Sequence, residues 1–153
     1  MNITPVRLSL QRVCRGAGPA RSDLLRWVRE TLSGRKTRAA LTIRIVDVTE
    51  SAALNAAWRH KSGPTNVLSF PITGLDQFAP ELLGDIVICA PLVISEACEQ
   101  GKLPLAHWAH LVVHGTLHLL GYDHIEEKDA LDMECLECEI LARLGFPNPY
   151  QEQ

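Results

Sequence analysis

The segment that most constrains the fold is an apolar stretch with regularly spaced histidines, His110-Leu-Val-Val-His114-Gly-Thr-Leu-His118-Leu-Leu-Gly121-Tyr-Asp-His124. Residues four apart lie one above the other on an α-helix, so a helical stretch places His114 and His118 on one face. Pro104 suits the first turn of such a helix, and Gly121 suits the position just beyond its end. The sequence therefore predicts a helix over 104–120, followed by a turn that returns His124 toward the other two imidazoles.

The rest of the chain alternates between strand-like and helix-like patterns and ends with helices only. Alternating or β-branched apolar residues predict strands over 4–11, 41–45, 66–70 and 85–90. Further helices are predicted over 22–32, 49–60, 91–100 and 126–144, with Ser22 and Thr49 as caps of the first two. We expect an α+β, or mixed α/β, fold: one domain over 1–153 with about four strands in a mixed sheet and about five helices.

The histidine spacing predicts a metal site at the end of a helix in the C-terminal half. Three neutral imidazoles, from His114, His118 and His124, leave one tetrahedral position open for water, which is typical of catalytic rather than structural zinc. Such a water can have its pKa lowered to about 7. We therefore expect one zinc ion, or another divalent transition metal, in a hydrolytic site.

Two neighbours of these histidines have open roles. His110 either supports the site, packs in the core or serves as a fourth ligand. Asp123 either orients a ligand imidazole or caps the turn. The plainer alternative, hydrogen-bonded histidines on a buried helix, is disfavoured because four of the six histidines fall within fifteen residues.

The ligand frame matches that of the metzincin proteases, which carry a glutamate directly after the first histidine as general base. In this chain that position is Gly115, which cannot accept a proton. The sequence thus argues against a protease although the ligand spacing is shared.

Charge is distributed unevenly along the chain. Residues 1–61 hold 12 of the 15 Lys and Arg against four acids, a net charge of +8, and the remainder holds 3 basic and 14 acidic residues. A polyanion could therefore bind one face of a mildly acidic protein, although charge alone favours the interpretation of ordinary solvated faces.

Composition also restricts the compartment. No segment has the roughly 18 uninterrupted apolar residues of a membrane span, and Arg7 and Arg12 interrupt the N-terminal segment where a secretory signal would be apolar. The five cysteines are odd in number and suit a reducing compartment. Cys135 and Cys138 form a CxxC without a second pair, so we expect ordinary thiols and a cytoplasmic protein.

Four stretches of the chain form a distinctive set: HGTLHLLGYDH at 114–124, NAAWRHK at 55–61, TNVLSFP at 65–71 and LGDI at 83–86. Together they resemble the YbeY family of bacterial endoribonucleases, which act in ribosomal RNA maturation. Their order and the chain length fit as well, so the resemblance extends over most of the chain beyond its first 40 residues.

The resemblance implies zinc ligation by His114, His118 and His124, and a functional role for Arg59. It also implies single-stranded RNA as substrate, ribosomal RNA processing, ribosome quality control, and the ribosome or its small subunit as partner; neither DNA nor a membrane is expected. We assign catalytic roles to Arg59 and His114, because an arginine fork binds phosphate and offsets developing charge. A solvated arginine at a helix end is the alternative that the residues alone leave open.

Further predictions concern the other groups that would contact substrate. We expect Lys61 to contact a backbone phosphate, and Asn66 and Ser69 to donate hydrogen bonds in the cleft beside Arg59. For Asn66 and Ser69 the plainer interpretation is a strand with its preceding turn. Two other functions remain as alternatives: a metalloprotease-like hydrolase, and a non-catalytic ribosome assembly factor with a structural zinc.

Overall fold

The structure is a computed structural model that describes residues 4–14, 18–74, 78–122 and 126–151. The described part holds four strands and five helices, as expected from the sequence patterns. In chain order they are β1 (Val6–Arg12), α1 (Arg21–Leu32), β2 (Ala39–Val46), α2 (Val48–Arg59), β3 (Val67–Pro71), β4 (Leu82–Cys89), α3 (Ala90–Glu99), α4 (Pro104–Leu119) and α5 (Glu127–Arg143).

The strands form one mixed sheet in the order β1-β2-β4-β3. β1 and β2 are parallel, as are β2 and β4, and β3 runs antiparallel to β4 at the edge. The predicted mixed sheet with about five helices is therefore confirmed. Because β3 is an edge strand, one of its sides stays available to residues outside the sheet.

The main core lies between one face of the sheet and α1 and α4. Ile43, Ile45, Ile86 and Ile88 point from the sheet into this core, where they pack against apolar residues of the two helices. Helix α4 also contacts α3, α5 and the edge strand β3. Its position at the centre of the fold gives its histidine-bearing face a fixed orientation relative to β3 and α5.

The opposite face of the sheet is only partly covered. A smaller apolar cluster forms there from Val46, Leu68, Val87 and Cys89, with Leu54 of α2 packed against it. Asp47 caps α2, since its carboxylate accepts a hydrogen bond from the backbone N–H of Glu50 at 3.0 Å. The predicted cap at Thr49 is thus wrong, because β2 extends to Val46 and the helix begins one residue before Thr49.

The first helix also begins earlier than predicted. α1 starts at Arg21 with Ala20 at the cap position and no capping side chain, so Ser22 lies inside the helix. None of the described helices is both long enough and apolar enough to cross a membrane.

Candidate metal centre

The end of α4 presents His114 and His118 side by side. Their Nε2 atoms are 3.0 Å apart and both side chains are half-buried. The four-residue spacing explains this arrangement, because it stacks the two rings on one helix face. The rings meet edge to face, with centroids 4.5 Å apart.

Gly121 ends this helix as predicted. Its φ of +100° is left-handed, its N–H donates to the His118 carbonyl, and the N–H of Tyr122 donates to the Leu117 carbonyl. This pair of hydrogen bonds is the Schellman motif, which favours glycine at the left-handed position. His124 and Asp123, which follow it in the sequence, lie outside the described residues, so the structure shows two of the three predicted ligands together.

A buried carboxylate holds His114 from behind. Glu137, on α5, is fully buried, and its Oε1 accepts a hydrogen bond from Nδ1 of His114 at 2.5 Å. Its Oε2 accepts from Nε2 of His110 at 2.9 Å and from the hydroxyl of Tyr150. A donor proton on Nδ1 leaves the lone pair of His114 on Nε2, directed toward His118.

Electrostatics keep this carboxylate ionised. Burial raises the pKa of Glu137, but hydrogen bonds from His110 and His114, electrostatic attraction to His114 and the hydrogen bond from Tyr150 outweigh burial and lower the pKa to about 2. Burial raises the pKa of Tyr150, and its contact with Glu137 raises it further, so the phenol remains a donor. Glu137 therefore acts as an acceptor for all three neighbours.

Among the described residues, two sets of ligand atoms could hold a metal ion, and both include His114. His110, His114 and Glu137 offer ligand atoms within 4.8 Å of one another, and they form a candidate site behind the imidazoles. On the other side, Nε2 of His114 and Nε2 of His118 face each other. A tetrahedral zinc with bonds of about 2.0–2.1 Å would separate two such nitrogens by roughly 3.3 Å, so the observed 3.0 Å fits.

The side that faces His118 opens onto a cleft of about 630 Å³. Its lining includes both imidazoles and all four residues predicted to contact substrate: Arg59, Lys61, Asn66 and Ser69. The structure thus gathers these residues around one opening, although they come from α2, the following loop, β3 and α4. Their roles in binding stay predictions.

Arg59 lines the cleft from the last turn of α2. Its Nη2 donates to the backbone oxygen of Ser69 at 3.1 Å, and the side chain is exposed. This contact fixes the guanidinium beside the edge strand. The hydroxyl of Ser69 donates to the carbonyl of Gly115 at 3.1 Å and is buried, which makes it a link between β3 and α4.

At Gly115, α4 packs tightly against the sheet. A Cβ atom there would lie 3.0 Å from Cγ2 of Ile86 and 3.2 Å from Oγ of Ser69. A glutamate at this position, as in the metzincins, would have to point into the packed sheet. The tight packing at Gly115 therefore gives a steric reason why the chain has no glutamate base at this position.

Side chains of α2 hold the loop that carries Lys61. The amide of Asn55 donates to the Gly63 carbonyl at 2.9 Å, and the hydroxyl of Ser51 donates to the Thr65 carbonyl at 2.7 Å. Both side chains are buried. Hydrogen bonds from buried side chains of α2 to the backbone therefore hold this loop in the wall of the cleft.

Asn66 is oriented by a second chain of polar contacts. Its amide donates to the Glu96 carboxylate at 3.0 Å, and Glu96 in turn contacts Nε2 of the buried His107 at 2.9 Å. Burial lowers the pKa of His107, and the contact with Glu96 only partly opposes it. A neutral His107 is therefore expected to donate to Glu96, which leaves Glu96 to fix the amide of Asn66.

Glu137 was not predicted from the sequence as a site residue, although a signal exists. It lies in α5 between the buried Met133 and the buried Ile140 and Leu141, at helical spacing, where an apolar residue is normal. An acid on the apolar stripe of a helix is usually paired with buried donors.

We expect Glu137→Gln to weaken zinc binding by roughly 10- to 100-fold, because the neutral amide holds the His114 ring less firmly and lowers its basicity. Competition with a chromophoric chelator measures the affinity. Glu139→Gln is the matched control, since it makes the same change on the exposed side of α5. Equal zinc affinities for the two variants would contradict the assigned role of Glu137.

The chain is similar to known proteins over most of its length. Residues 19–145 match the family model described as Endoribonuclease YbeY. The chain is 55% identical over 148 residues to the endoribonuclease YbeY of Stutzerimonas stutzeri, covering 96% of this chain and 92% of that protein. It is 53% identical over 137 residues to the endoribonuclease YbeY of Coxiella burnetii strain Dugway, covering 88% of this chain and 90% of that protein.

A solved structure shows a related fold. The solution structure of TM1509 from Thermotoga maritima aligns with a TM-score of 0.56 at 23% identity, covering 95% of this chain and 99% of that one. This likeness concerns the fold alone.

Proposed function

Since the chain belongs to the YbeY family of endoribonucleases, we propose that it cuts single-stranded RNA with one zinc ion held by His114, His118 and His124. The observation that carries the proposal is the shared cleft: an arginine suited to phosphate and two facing imidazoles line the same opening. Phosphoryl chemistry needs both, a group that binds the phosphate and a centre that offsets the charge of the transition state.

The ion, when bound, supplies Lewis-acid polarisation or a water of lowered pKa. The chain itself supplies the positioning. Glu137 keeps Nε2 of His114 available, and the contact of Arg59 with Ser69 holds the guanidinium beside the same cleft. The planar fork of Arg59 can bind two phosphate oxygens at once.

Other groups of the cleft contribute binding rather than chemistry. Lys61 is exposed and can contact a neighbouring phosphate, and Asn66 is oriented through Glu96. The hydroxyl of Ser69 donates its proton to the Gly115 carbonyl, so the expected donation from Ser69 to substrate is replaced by a role as acceptor.

The biological role proposed for this activity is ribosomal RNA maturation and ribosome quality control in the cytoplasm, with the ribosome or its small subunit as partner. The sequence resemblance and the family of the relatives support it. The basic first 61 residues are consistent with a polyanionic partner.

A purified preparation should cleave single-stranded RNA, and it should leave a duplex of the same sequence and single-stranded DNA intact. We expect a chelator to abolish cleavage and added zinc to restore it, because the proposed ion is required for the reaction. His114→Ala, purified in the same way, controls for contaminating nucleases. Intact RNA with zinc present, or equal cleavage by His114→Ala, would refute the proposal.

The same preparation separates the two alternative functions. Metal-dependent digestion of casein without RNA cleavage would favour a protease, which the packing at Gly115 disfavours. RNA that is bound but never cut, together with unfolding of the protein on chelation, would favour an assembly factor with a structural metal.

A further inference from the structure

Trp58 is a solvent-exposed tryptophan that directly precedes Arg59 in the sequence. It lies on the last turn of α2 with 65% of its surface exposed, and its ring meets Phe70 edge to face at a centroid distance of 6.0 Å. The other two tryptophans, Trp27 and Trp108, are buried at 2% and 3% exposure. A single exposed apolar residue is common, so the surroundings of Trp58 decide whether it has a role.

Those surroundings form a groove of about 680 Å³ between α2 and the partly covered face of the sheet. Leu54, Phe70 and Val87 supply apolar surface, and Trp58 forms part of the wall. The volume lies within the roughly 300–1,000 Å³ typical of small-molecule sites. The groove is therefore large enough for a planar ring and its sugar.

The groove is continuous with the metal-side cleft. Arg59, Ser69 and Pro71 line both, so the two openings meet at the outer edge of β3. A strand of RNA whose phosphate contacts Arg59 would thus have a neighbouring nucleotide within reach of Trp58.

The charges of the groove favour a base over a phosphate. Arg44 is held by Glu50 through two contacts, at 2.5 Å and 2.8 Å, and Asp85 presents an exposed carboxylate. A phosphate would be repelled by Asp85, whereas amino groups of a base could donate to it. Arg59, at the junction, is the cation best placed for the phosphate.

We propose that this groove is a nucleobase subsite in which a base of the RNA strand, next to the phosphate at Arg59, stacks on Trp58. The inference rests on the proposed function and deepens it. Stacking on an aromatic ring tolerates any base, so the subsite would favour unpaired strands without selecting a sequence. It gives a physical reason for single-strand preference, because a paired base cannot leave its duplex to enter the groove.

Of the three tryptophans only Trp58 is exposed, so tryptophan fluorescence can report directly on the groove. Mixing the full protein with a single-stranded RNA oligonucleotide should quench tryptophan emission before cleavage proceeds, and the quench should disappear in Trp58→Phe because Trp27 and Trp108 are shielded. We expect Trp58→Leu to raise KM for RNA roughly 5- to 150-fold, and Trp58→Phe to retain most of the wild-type affinity. Leu103→Ala, another exposed apolar position outside both openings, should change neither.

An RNA with an abasic nucleotide at each position in turn locates the stacked base, and one position should reproduce the KM of Trp58→Leu. Normal RNA cleavage with no quench and an unchanged KM in Trp58→Leu would overturn the subsite alone, and would leave the groove to another occupant such as a protein. Absence of both RNA binding and cleavage in the wild type would overturn the proposed function together with the subsite.

Discussion

His118→Ala is expected to release the metal ion and to lower RNA cleavage by at least about 1000-fold while the domain stays folded. The variant removes one of the three proposed ligands, and the ion contributes several kcal/mol of transition-state stabilisation, of which about 4 kcal/mol corresponds to 1000-fold. His118 is only half-buried at the end of α4, and alanine is a strong helix former, so the fold should persist. Metal content per chain, a thermal unfolding curve and a cleavage assay give the three readouts.

His110→Ala is the matched control, because His110 lies one helix turn before His114 and His118 lies one turn after it. Nε2 of His110 contacts Glu137, and Glu137 would keep its contacts with His114 and Tyr150 in the variant. We therefore expect one ion per chain and less than a tenfold loss of zinc affinity. Loss of the ion in His110→Ala, with retention in His118→Ala, would instead place it among His110, His114 and Glu137.

Arg59→Ala is expected to lower kcat for RNA by roughly 100- to 1000-fold, the range found when one donor to a developing oxyanion is removed. Metal content should not change, since Arg59 is not a proposed ligand. The side chain is exposed and makes one hydrogen bond to the Ser69 backbone, so the loss of unfolding free energy should stay within about 1 kcal/mol. Steady-state kinetics with metal analysis test this.

Two further variants control this experiment. Arg59→Lys keeps the charge but loses the bidentate fork, so its kcat should fall between wild type and Arg59→Ala. Arg26→Ala removes another exposed arginine, on α1 and outside the cleft, and should cleave like wild type. Equal rates for Arg59→Ala and Arg26→Ala would show that Arg59 takes no part in the reaction.

Local patterns predicted the elements well because their causes are local. The four strands, the five helices and the helix end at Gly121 follow from periodicity and turn chemistry within short windows. The cap of α2 was misplaced because Thr49 and Asp47 are both good caps, and the end of β2 decides between them. That boundary depends on pairing with β4, which lies far away in the sequence.

The contacts of Glu137 could not be predicted from the sequence. Glu137 is 23 residues from His114 along the chain, and the acidic run around it is compatible with a solvated helix face. Only the packing of α5 against α4 shows that this one acid is buried among three donors. The position of an acid on the apolar stripe of α5 indicates that the acid is buried, but it does not predict which residues donate hydrogen bonds to it.

By itself the sequence determined which side chains share a helix face, because the α-helical repeat converts the spacing of His114 and His118 into proximity. It also determined the family, through motifs that extend over most of the chain. The tertiary structure alone decided that Arg59 lines the same cleft as those imidazoles and that Glu137 binds Nδ1 of His114. These groups come from separate elements, and only the burial of apolar surface between sheet and helices sets their mutual positions.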